Sequence, residues 1–300
     1  MSLPNKLTGK PAEIGAFLDR FDVFLFDCDG VLWRGDKLLP QTVETLDMLR
    51  SKGKQIIFVT NNSTKSRAAY ISKFTSFGIP AAVDEIFGSA YSAAIYISRV
   101  LCLPKDKRVY VIGEVGIEEE LESEGVQFFG GTDPDEDRRV SAEDHTAFGP
   151  DDSVGVVLVG LDHGVNYRKI ARAYHFLQNP DTRFLATNID STFPTPGGLF
   201  PGAGTMSAPL SFMLGGRQPL SLGKPSQAMM DAIEGRFRFD RKRACMVGDR
   251  INTDIKFGVE GGLGGTLGVL TGVCKEQEFL DGLDGVRPEA YVDSLCDLLS

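Results

Sequence analysis

Residues 21–33 read FDVFLFDCDGVLW, a short apolar run that ends in two aspartates, Asp27 and Asp29. A run of this length predicts a buried strand over residues 21–26. In an open parallel sheet, ligands bind outside the carboxyl ends of the strands. The two aspartates are therefore candidates for a binding or catalytic site at that edge.

Strand-like and helix-like patterns alternate along most of the chain. Strands are predicted at residues 55–59, 86–88, 243–247 and 266–270, and helices at 42–51, 67–77 and 90–101. Such alternation implies right-handed crossovers between parallel strands. The predicted fold class is therefore α/β with a parallel-sheet core.

The middle of the chain departs from this pattern. Strands predicted at 108–112 and 154–159 are separated by residues 132–152, whose Asp, Glu, Pro and Gly content predicts a mobile loop. We therefore place a second domain at residues 102–214, inserted into a first domain made of residues 1–101 and 215–300.

Five glutamates between residues 118 and 124 could indicate a cation site. Ile117 and Leu121 share one side of the same predicted helix. This spacing favours a different interpretation, a solvated acidic helix with one apolar stripe.

Bulk composition narrows the possible functions. The net charge of −9 argues against nucleic acid as the main partner and weakly against anionic membranes. The five cysteines form no CxxC pair, which is typical of reduced thiols in a cytoplasmic protein. Residues 1–10 contain no apolar core of a secretory signal, and no run of about 18 apolar residues could span a membrane, so no membrane association is predicted.

Polar groups suited to phosphate chemistry follow four apolar runs. They are Asp27 with Asp29, Thr60 with Asn61 and Asn62, Lys224, and Asp249 with Asp254. One such ending is weak evidence, because Asp and Asn are common turn residues, but four together are hard to ascribe to turns. Carboxylates gathered in one crevice could not all stay ionised without a cation. Hard oxygen ligands with room for water favour Mg²⁺.

These motifs resemble those of the haloacid dehalogenase superfamily of phosphatases. The family's four motifs stand here as residues 27–31, residues 60–61, Lys224, and residues 248–249 with Asp254. Residues 26–33, 59–66 and 246–250 are similar to the branch of 4-nitrophenylphosphatases and phosphoglycolate phosphatases. The resemblance implies a Rossmann-like core domain with an inserted α/β cap domain, and a homodimer formed through the caps.

The resemblance also implies a role for each site residue. Asp27 would be the nucleophile that forms an aspartyl phosphate, and Asp29 the general acid and base. The phosphate would be bound by Thr60, Asn61, Asn62 and Lys224. Mg²⁺ would be held by Asp27, the Asp29 backbone carbonyl and Asp249, with Asp254 behind them orienting metal-bound water. Trp33 is interpreted as packing beside the site.

Two alternatives stay open on the sequence. A receiver-like regulatory domain also has a phosphorylatable aspartate, acidic metal ligands and a lysine, but it needs neither Asp29 nor a large inserted domain. Among phosphatases, the substrate could be pyridoxal phosphate or another small phosphorylated metabolite. In related pyridoxal phosphate phosphatases the loop equivalent to residues 187–194 carries a histidine, where this chain has Phe193. The Thr-Asn-x-Asp pattern at residues 187–190 is closer to phosphoglycolate phosphatases, so 2-phosphoglycolate and 4-nitrophenyl phosphate are the predicted substrates.

Overall fold

The computed structural model describes residues 3–195 and 197–299. By its internal contacts the chain divides into two compact units. The first unit is Met1–Thr60, Tyr70–Phe87 and Lys224–Ser300, and the second unit is Asn61–Ala69 with Gly88–Gly223. These borders fall at 88 and 223, whereas the sequence analysis drew them at 102 and 214, and that division into domains stays a prediction.

The strands and helices of the described residues follow one another in close alternation. The strands are β1 Asn5–Lys6, β2 Val23–Phe26, β3 Trp33–Arg34, β4 Lys37–Leu38, β5 Gln55–Thr60, β6 Ile86–Gly88, β7 Arg108–Ile112, β8 Phe128–Gly130, β9 Val154–Val159, β10 Arg183–Ala186, β11 Thr192–Thr195, β12 Gly198–Pro201, β13 Leu220–Ser221, β14 Ala244–Gly248, β15 Gly265–Val269 and β16 Ala290–Val292. The α-helices are α1 Pro11–Leu18, α2 Thr42–Ser51, α3 Arg67–Ser76, α4 Ser89–Ile95, α5 Val115–Ser123, α6 Asp144–Ala147, α7 Tyr167–Phe176, α8 Gly204–Met213, α9 Gln227–Phe237, α10 Lys256–Glu260 and α11 Glu276–Asp281.

The first unit is built on a sheet with the strand order β1-β16-β15-β14-β2-β5-β6. The first six strands in this order, β1, β16, β15, β14, β2 and β5, pair in parallel. Phe26 at the end of β2 aligns with Phe58 on one side and Val247 on the other. All three side chains are buried, as expected for central parallel strands covered on both faces. The carboxyl ends of β2, β5 and β14 therefore lie side by side at one edge, and the prediction of an α/β parallel-sheet fold is confirmed.

The second unit has its own parallel sheet, with the order β13-β10-β9-β7-β8. Its core includes Tyr110, Val157, Phe176 and Leu210. A separate antiparallel hairpin joins β11 to β12. No helix among the described residues has the length and apolar character needed to cross a bilayer.

The strand before Lys224 differs from the expectation. The apolar run before Lys224 predicts a strand of the same group as those that end at Asp27, Thr60 and Asp249. In the structure this strand, β13, has two residues and pairs with Leu185 and Ala186 of β10 in the second unit's sheet. Lys224 therefore reaches the first unit from a strand of the other sheet.

The acidic helix α5 also differs from the expectation. The interpretation as a solvated face is wrong for Glu120, which is buried and receives three hydrogen bonds from Arg67. The backbone N–H of Arg67 donates at 2.6 Å, and the Arg67 guanidinium lies 3.2 Å from the centroid of the Tyr91 ring. Glu118 accepts a backbone hydrogen bond from Thr132 at 2.6 Å. Part of the helix's charge thus anchors neighbouring segments of the second unit.

We expect Glu120→Gln to lower the free energy of unfolding by roughly 3 kcal/mol, because it leaves the largely buried Arg67 charge without its partner. Glu122→Gln makes the same chemical change at an exposed position of α5 and should change stability by less than about 0.5 kcal/mol. Urea unfolding followed by circular dichroism measures both. Equal stability of the two variants would contradict the anchoring role of Glu120.

Candidate active site

The end of β2 places Asp27 at the edge of the larger sheet. Its backbone N–H donates to the Val247 carbonyl at 2.9 Å, which extends the pairing with β14 by one residue. The side chain then turns into the interior, where it is only 9% exposed. Asp27 Oδ1 accepts a hydrogen bond from Lys224 Nζ at 2.6 Å. The strand thus delivers a carboxylate to a buried position next to a cation.

Lys224 is the cation of this site and is itself only 2% exposed. Its Nζ lies 2.6 Å from Asp27 Oδ1, 2.7 Å from Asp254 Oδ1 and 2.8 Å from the Val59 carbonyl. An ammonium group has three N–H donors, and each of these three acceptors lies within hydrogen-bond distance of it. The Lys224 side chain is therefore held in one position by these contacts.

Asp249 and Asp254 complete the cluster from the end of β14. Asp249 Oδ2 accepts the Val273 N–H at 2.6 Å, and Asp254 Oδ2 accepts the Arg250 N–H at 3.1 Å. Both carboxylates are buried. Asp27, Asp249 and Asp254 each offer an oxygen within 4.8 Å of the other two.

Two glycines make room for Asp249. A Cβ on Gly272 would lie 1.8 Å from Asp249 Oδ2, and one on Gly30 would lie 2.7 Å from the same atom. Gly30 also has a φ of +92°, a conformation that residues with a Cβ rarely adopt. The backbone at these two positions therefore lies close to the Asp249 carboxylate, and this is possible because neither residue has a side chain.

The charges of the cluster do not balance. Burial raises the pKa of Asp27 well above its usual range, and the charges of Asp254 and Asp249 raise it further, against the opposing effect of Lys224. Burial and the charge of Asp254 raise the pKa of Asp249 to about 7. Burial alone would lower the pKa of Lys224, but the attraction of Asp254 and Asp27 outweighs it and raises this pKa. Lys224 pairs with Asp27 and Asp254, and the charge of Arg250 lowers the pKa of Asp249 only in part, so a further cation would favour ionisation of all three carboxylates.

The donor set fits a hard divalent cation. Carboxylate oxygens are the ligands that Mg²⁺ prefers, and Mg²⁺ keeps some of its waters rather than demanding a complete protein cage. Asp27 and Asp249 provide the ligand oxygens most directly. Asp254 has one oxygen engaged by Lys224 and the other by the Arg250 N–H, which suits the supporting position that the sequence analysis gave it.

Asp29 lies two residues beyond Asp27 and has its own partners. Its Oδ1 accepts a hydrogen bond from Trp33 Nε1 at 2.8 Å and lies 3.7 Å from Lys73 Nζ. The sequence predicts only a packing role for Trp33 and no role for Lys73. The four-residue spacing from Asp29 to Trp33 was a possible signal for their hydrogen bond. Nothing near Lys73 in the sequence indicated its ion pair with Asp29.

The phosphate-binding residues predicted after β5 fall in both units. Thr60 ends β5 in the first unit, with its hydroxyl 3.5 Å from Tyr70 OH. Asn61 and Asn62 belong to the second unit. The Asn61 side-chain amide donates to Asp190 Oδ2 at 3.1 Å. Asn62 Oδ1 accepts the N–H of Thr64 at 3.0 Å. The structure thus gathers Asp27, Lys224, Asp249 and Asp254 into one cluster, while the roles of Asn61 and Asn62 stay predictions.

Comparison with known proteins gives a consistent match along the chain. A family model described as haloacid dehalogenase-like hydrolase matches residues 24–127, and a second, described as HAD-hydrolase-like, matches residues 221–298. A 4-nitrophenylphosphatase of Schizosaccharomyces pombe is 54% identical over 293 residues, which cover 98% of each chain. Phosphoglycolate phosphatase 2 of Arabidopsis thaliana is 44% identical over 287 residues, which cover 95% of this chain and 94% of the relative.

A solved structure supports the same relationship. The crystal structure of a glycerol phosphate phosphatase from Mycobacterium tuberculosis, in complex with magnesium, matches with a TM-score of 0.78 at 28% identity. The match covers 94% of this chain and 77% of that one. The similarity thus extends from the sequence motifs to the fold.

The raised pKa of Asp249 has a consequence for stability that can be measured. Because its pKa is raised to about 7, Asp249 of the metal-free folded protein keeps its proton at pH values where the same carboxyl of the unfolded chain, with a pKa near 3.8, has lost it. The folded state is therefore favoured at low pH, and this contribution is lost as the pH rises from about 4 through 7, by roughly 4 kcal/mol at most.

We expect chelator-treated protein to lose more stability between pH 5.5 and pH 8 than the Asp249→Asn variant does. Asparagine keeps the shape of the side chain but does not titrate, so the difference between the two slopes isolates Asp249. Urea unfolding at several pH values measures both. Parallel stability curves would show that Asp249 does not retain its proton in the folded protein.

Proposed function

We propose that this chain, which belongs to the family of haloacid dehalogenase-like hydrolases, hydrolyses small phosphomonoesters with Mg²⁺ and an aspartyl phosphate on Asp27. Its class as a phosphoric monoester hydrolase is confirmed by relatives that match nearly its whole length. The observation that carries the proposed mechanism is the meeting of three buried carboxylates and one buried lysine at the carboxyl edge of the larger sheet.

The first half of the reaction transfers the phosphoryl group to the enzyme. A carboxylate oxygen of Asp27 forms a bond to phosphorus while the bond from phosphorus to the ester oxygen breaks. Asp29 donates its proton to the departing oxygen, which leaves as an alcohol. Lys224 and the hydroxyl of Thr60 stabilise negative charge on the transferring oxygens, together with Asn61 and Asn62.

The second half releases phosphate. Asp29, now a carboxylate, accepts a proton from water as the water oxygen attacks phosphorus and the bond to Asp27 breaks. Phosphate and the free Asp27 carboxylate result. Mg²⁺ held by Asp27, the Asp29 carbonyl and Asp249 would supply the positive charge that lets two anions approach each other.

We propose 2-phosphoglycolate and 4-nitrophenyl phosphate as substrates, because the two relatives described above are named for these activities. Phe193 lies on β11 and packs near Phe200 of β12, with ring centroids 6.3 Å apart. A phenyl ring cannot replace the polar contact that a histidine would make with pyridoxal. Glycerol phosphate, the substrate class named for the M. tuberculosis structure, is the second candidate.

We also propose a cytoplasmic homodimer formed through the predicted cap. Support comes from large apolar side chains exposed in the second unit, with Phe212 at 87%, Leu199 at 64% and Phe200 at 53%. Exposed apolar groups of this size are common at protein interfaces. Light scattering at micromolar concentration should give twice the mass of one chain, and a monomer mass would refute the dimer.

Asp27→Asn should fold normally and lose at least about 10³-fold in kcat, because a neutral amide does not attack phosphorus. Asp36→Asn, the same change on the exposed turn between β3 and β4, is the matched control and should keep full activity.

EDTA should abolish turnover of the native enzyme, and added Mg²⁺ should restore it. Steady turnover by pure Asp27→Asn would refute the nucleophile, and full activity in metal-free buffer would refute the cofactor.

Substrate preference is tested by kcat/KM for 2-phosphoglycolate, 4-nitrophenyl phosphate and pyridoxal phosphate, measured side by side, because this ratio reports discrimination in the transition state. Pyridoxal phosphate should be at least about tenfold poorer than the other two. If pyridoxal phosphate came out best, the argument from Phe193 would fail while the chemistry of Asp27 would stand.

A further inference from the structure

The turn that follows Asp27 folds Trp33 back onto Asp29. Gly30 N–H donates to the Trp33 carbonyl at 2.7 Å, and the two residues Asp29 and Trp33 form an isolated β-bridge. The indole N–H then donates to Asp29 Oδ1 at 2.8 Å. A short, closed turn therefore sets the distance between the general acid and this donor.

The indole cannot easily move away from Asp29. Trp33 is fully buried, and its ring packs against Phe74 and Phe77 with centroid distances of 5.1 and 5.5 Å. A buried N–H without an acceptor costs roughly 1–3 kcal/mol, so the hydrogen bond to Asp29 is retained as long as the ring stays in place.

Lys73 adds a charge to the same oxygen. Its Nζ lies 3.7 Å from Asp29 Oδ1 and 4.5 Å from the centroid of the Trp33 ring. The ammonium group therefore contacts both the carboxylate and the face of the ring that binds it. Trp33 Nε1 and Lys73 Nζ thus both contact Oδ1 of Asp29, while the Asp29 side chain remains 37% exposed.

We propose that Trp33 and Lys73 are positioning residues that hold Oδ1 of Asp29 and thereby present Oδ2 for proton transfer. This inference rests on the proposed function and adds an atomic assignment to it. Oδ2 gives its proton to the ester oxygen as the bond from phosphorus to that oxygen breaks. Oδ2 later takes a proton from water as the water oxygen bonds to phosphorus and the bond from phosphorus to the Asp27 oxygen breaks.

Two aryl esters that differ in leaving group test the assignment. 4-Nitrophenolate departs with little help from an acid, whereas phenolate from phenyl phosphate depends on a proton. For each ester, kcat/KM reports only the steps up to departure of the phenol. We expect Trp33→Phe, which keeps an aromatic ring but removes the N–H, to lower kcat/KM roughly tenfold for phenyl phosphate and less than about threefold for 4-nitrophenyl phosphate.

Lys73 provides a second variant that leaves Trp33 and its indole N–H in the chain. Lys73→Met should shift the ratio of the two kcat/KM values in the same direction, and Lys73→Arg should restore most of it by keeping the charge. Phe77→Leu is the control for packing, because it alters the contact with the Trp33 ring and leaves the N–H and Asp29 in place. Phe77→Leu should affect both esters by the same factor.

The outcomes separate this inference from the proposed function. If the native enzyme with Mg²⁺ hydrolyses neither ester, or Asp27→Asn remains active, the proposed function fails. If the native enzyme hydrolyses both esters and neither Trp33→Phe nor Lys73→Met changes their ratio, the positioning role fails and the proposed function stands. Equal losses on both esters would likewise reduce Trp33 to a packing residue.

Discussion

The buried ammonium group of Lys224 is the contact on which the site depends. A lysine that is 2% exposed must satisfy its charge and its three donors within the protein, and it does so with Asp27, Asp254 and the Val59 carbonyl. These three acceptors come from the ends of β2 and β5 and from the helical segment Ile251–Ile255 that follows β14. The lysine itself comes from the point where the chain returns to the first unit. One ion-paired group therefore joins four segments that are far apart in sequence.

The charge of Lys224 does not balance the charges of the three carboxylates at the site. Lys224 can neutralise about one carboxylate, but Asp27, Asp249 and Asp254 approach one another within 4.8 Å. Each is buried, so ionisation of all three is costly until another positive charge is present. The raised pKa of Asp249 reflects that cost. A site of this kind costs stability in the empty protein and recovers it when the proposed metal binds.

Much of this arrangement could be predicted because it depends on local pattern. Apolar runs marked β2, β5 and β14 to within two residues, and the parallel order brought Asp27, Thr60 and Asp249 to one edge. The two-residue strand before Lys224 was assigned to the wrong group, because a pattern this short does not reveal which sheet it joins. The burial of Glu120 was missed because its partner, Arg67, lies 53 residues away and no helical periodicity reports such a contact.

The segment after Thr60 shows why the substrate is harder to derive than the chemistry. Asn61 is bonded to the last residue of β5, yet its side chain donates to Asp190 and its carbonyl accepts from Asn188 at 2.7 Å, both in the second unit. The position of the proposed phosphate donor therefore depends on the loop that carries Asn188 and Asp190. Asp27 and Lys224 are fixed by the sheet and by charge, which any phosphomonoester requires. Asn61 is held by Asn188 and Asp190, so a change in that loop would also move the proposed phosphate donor.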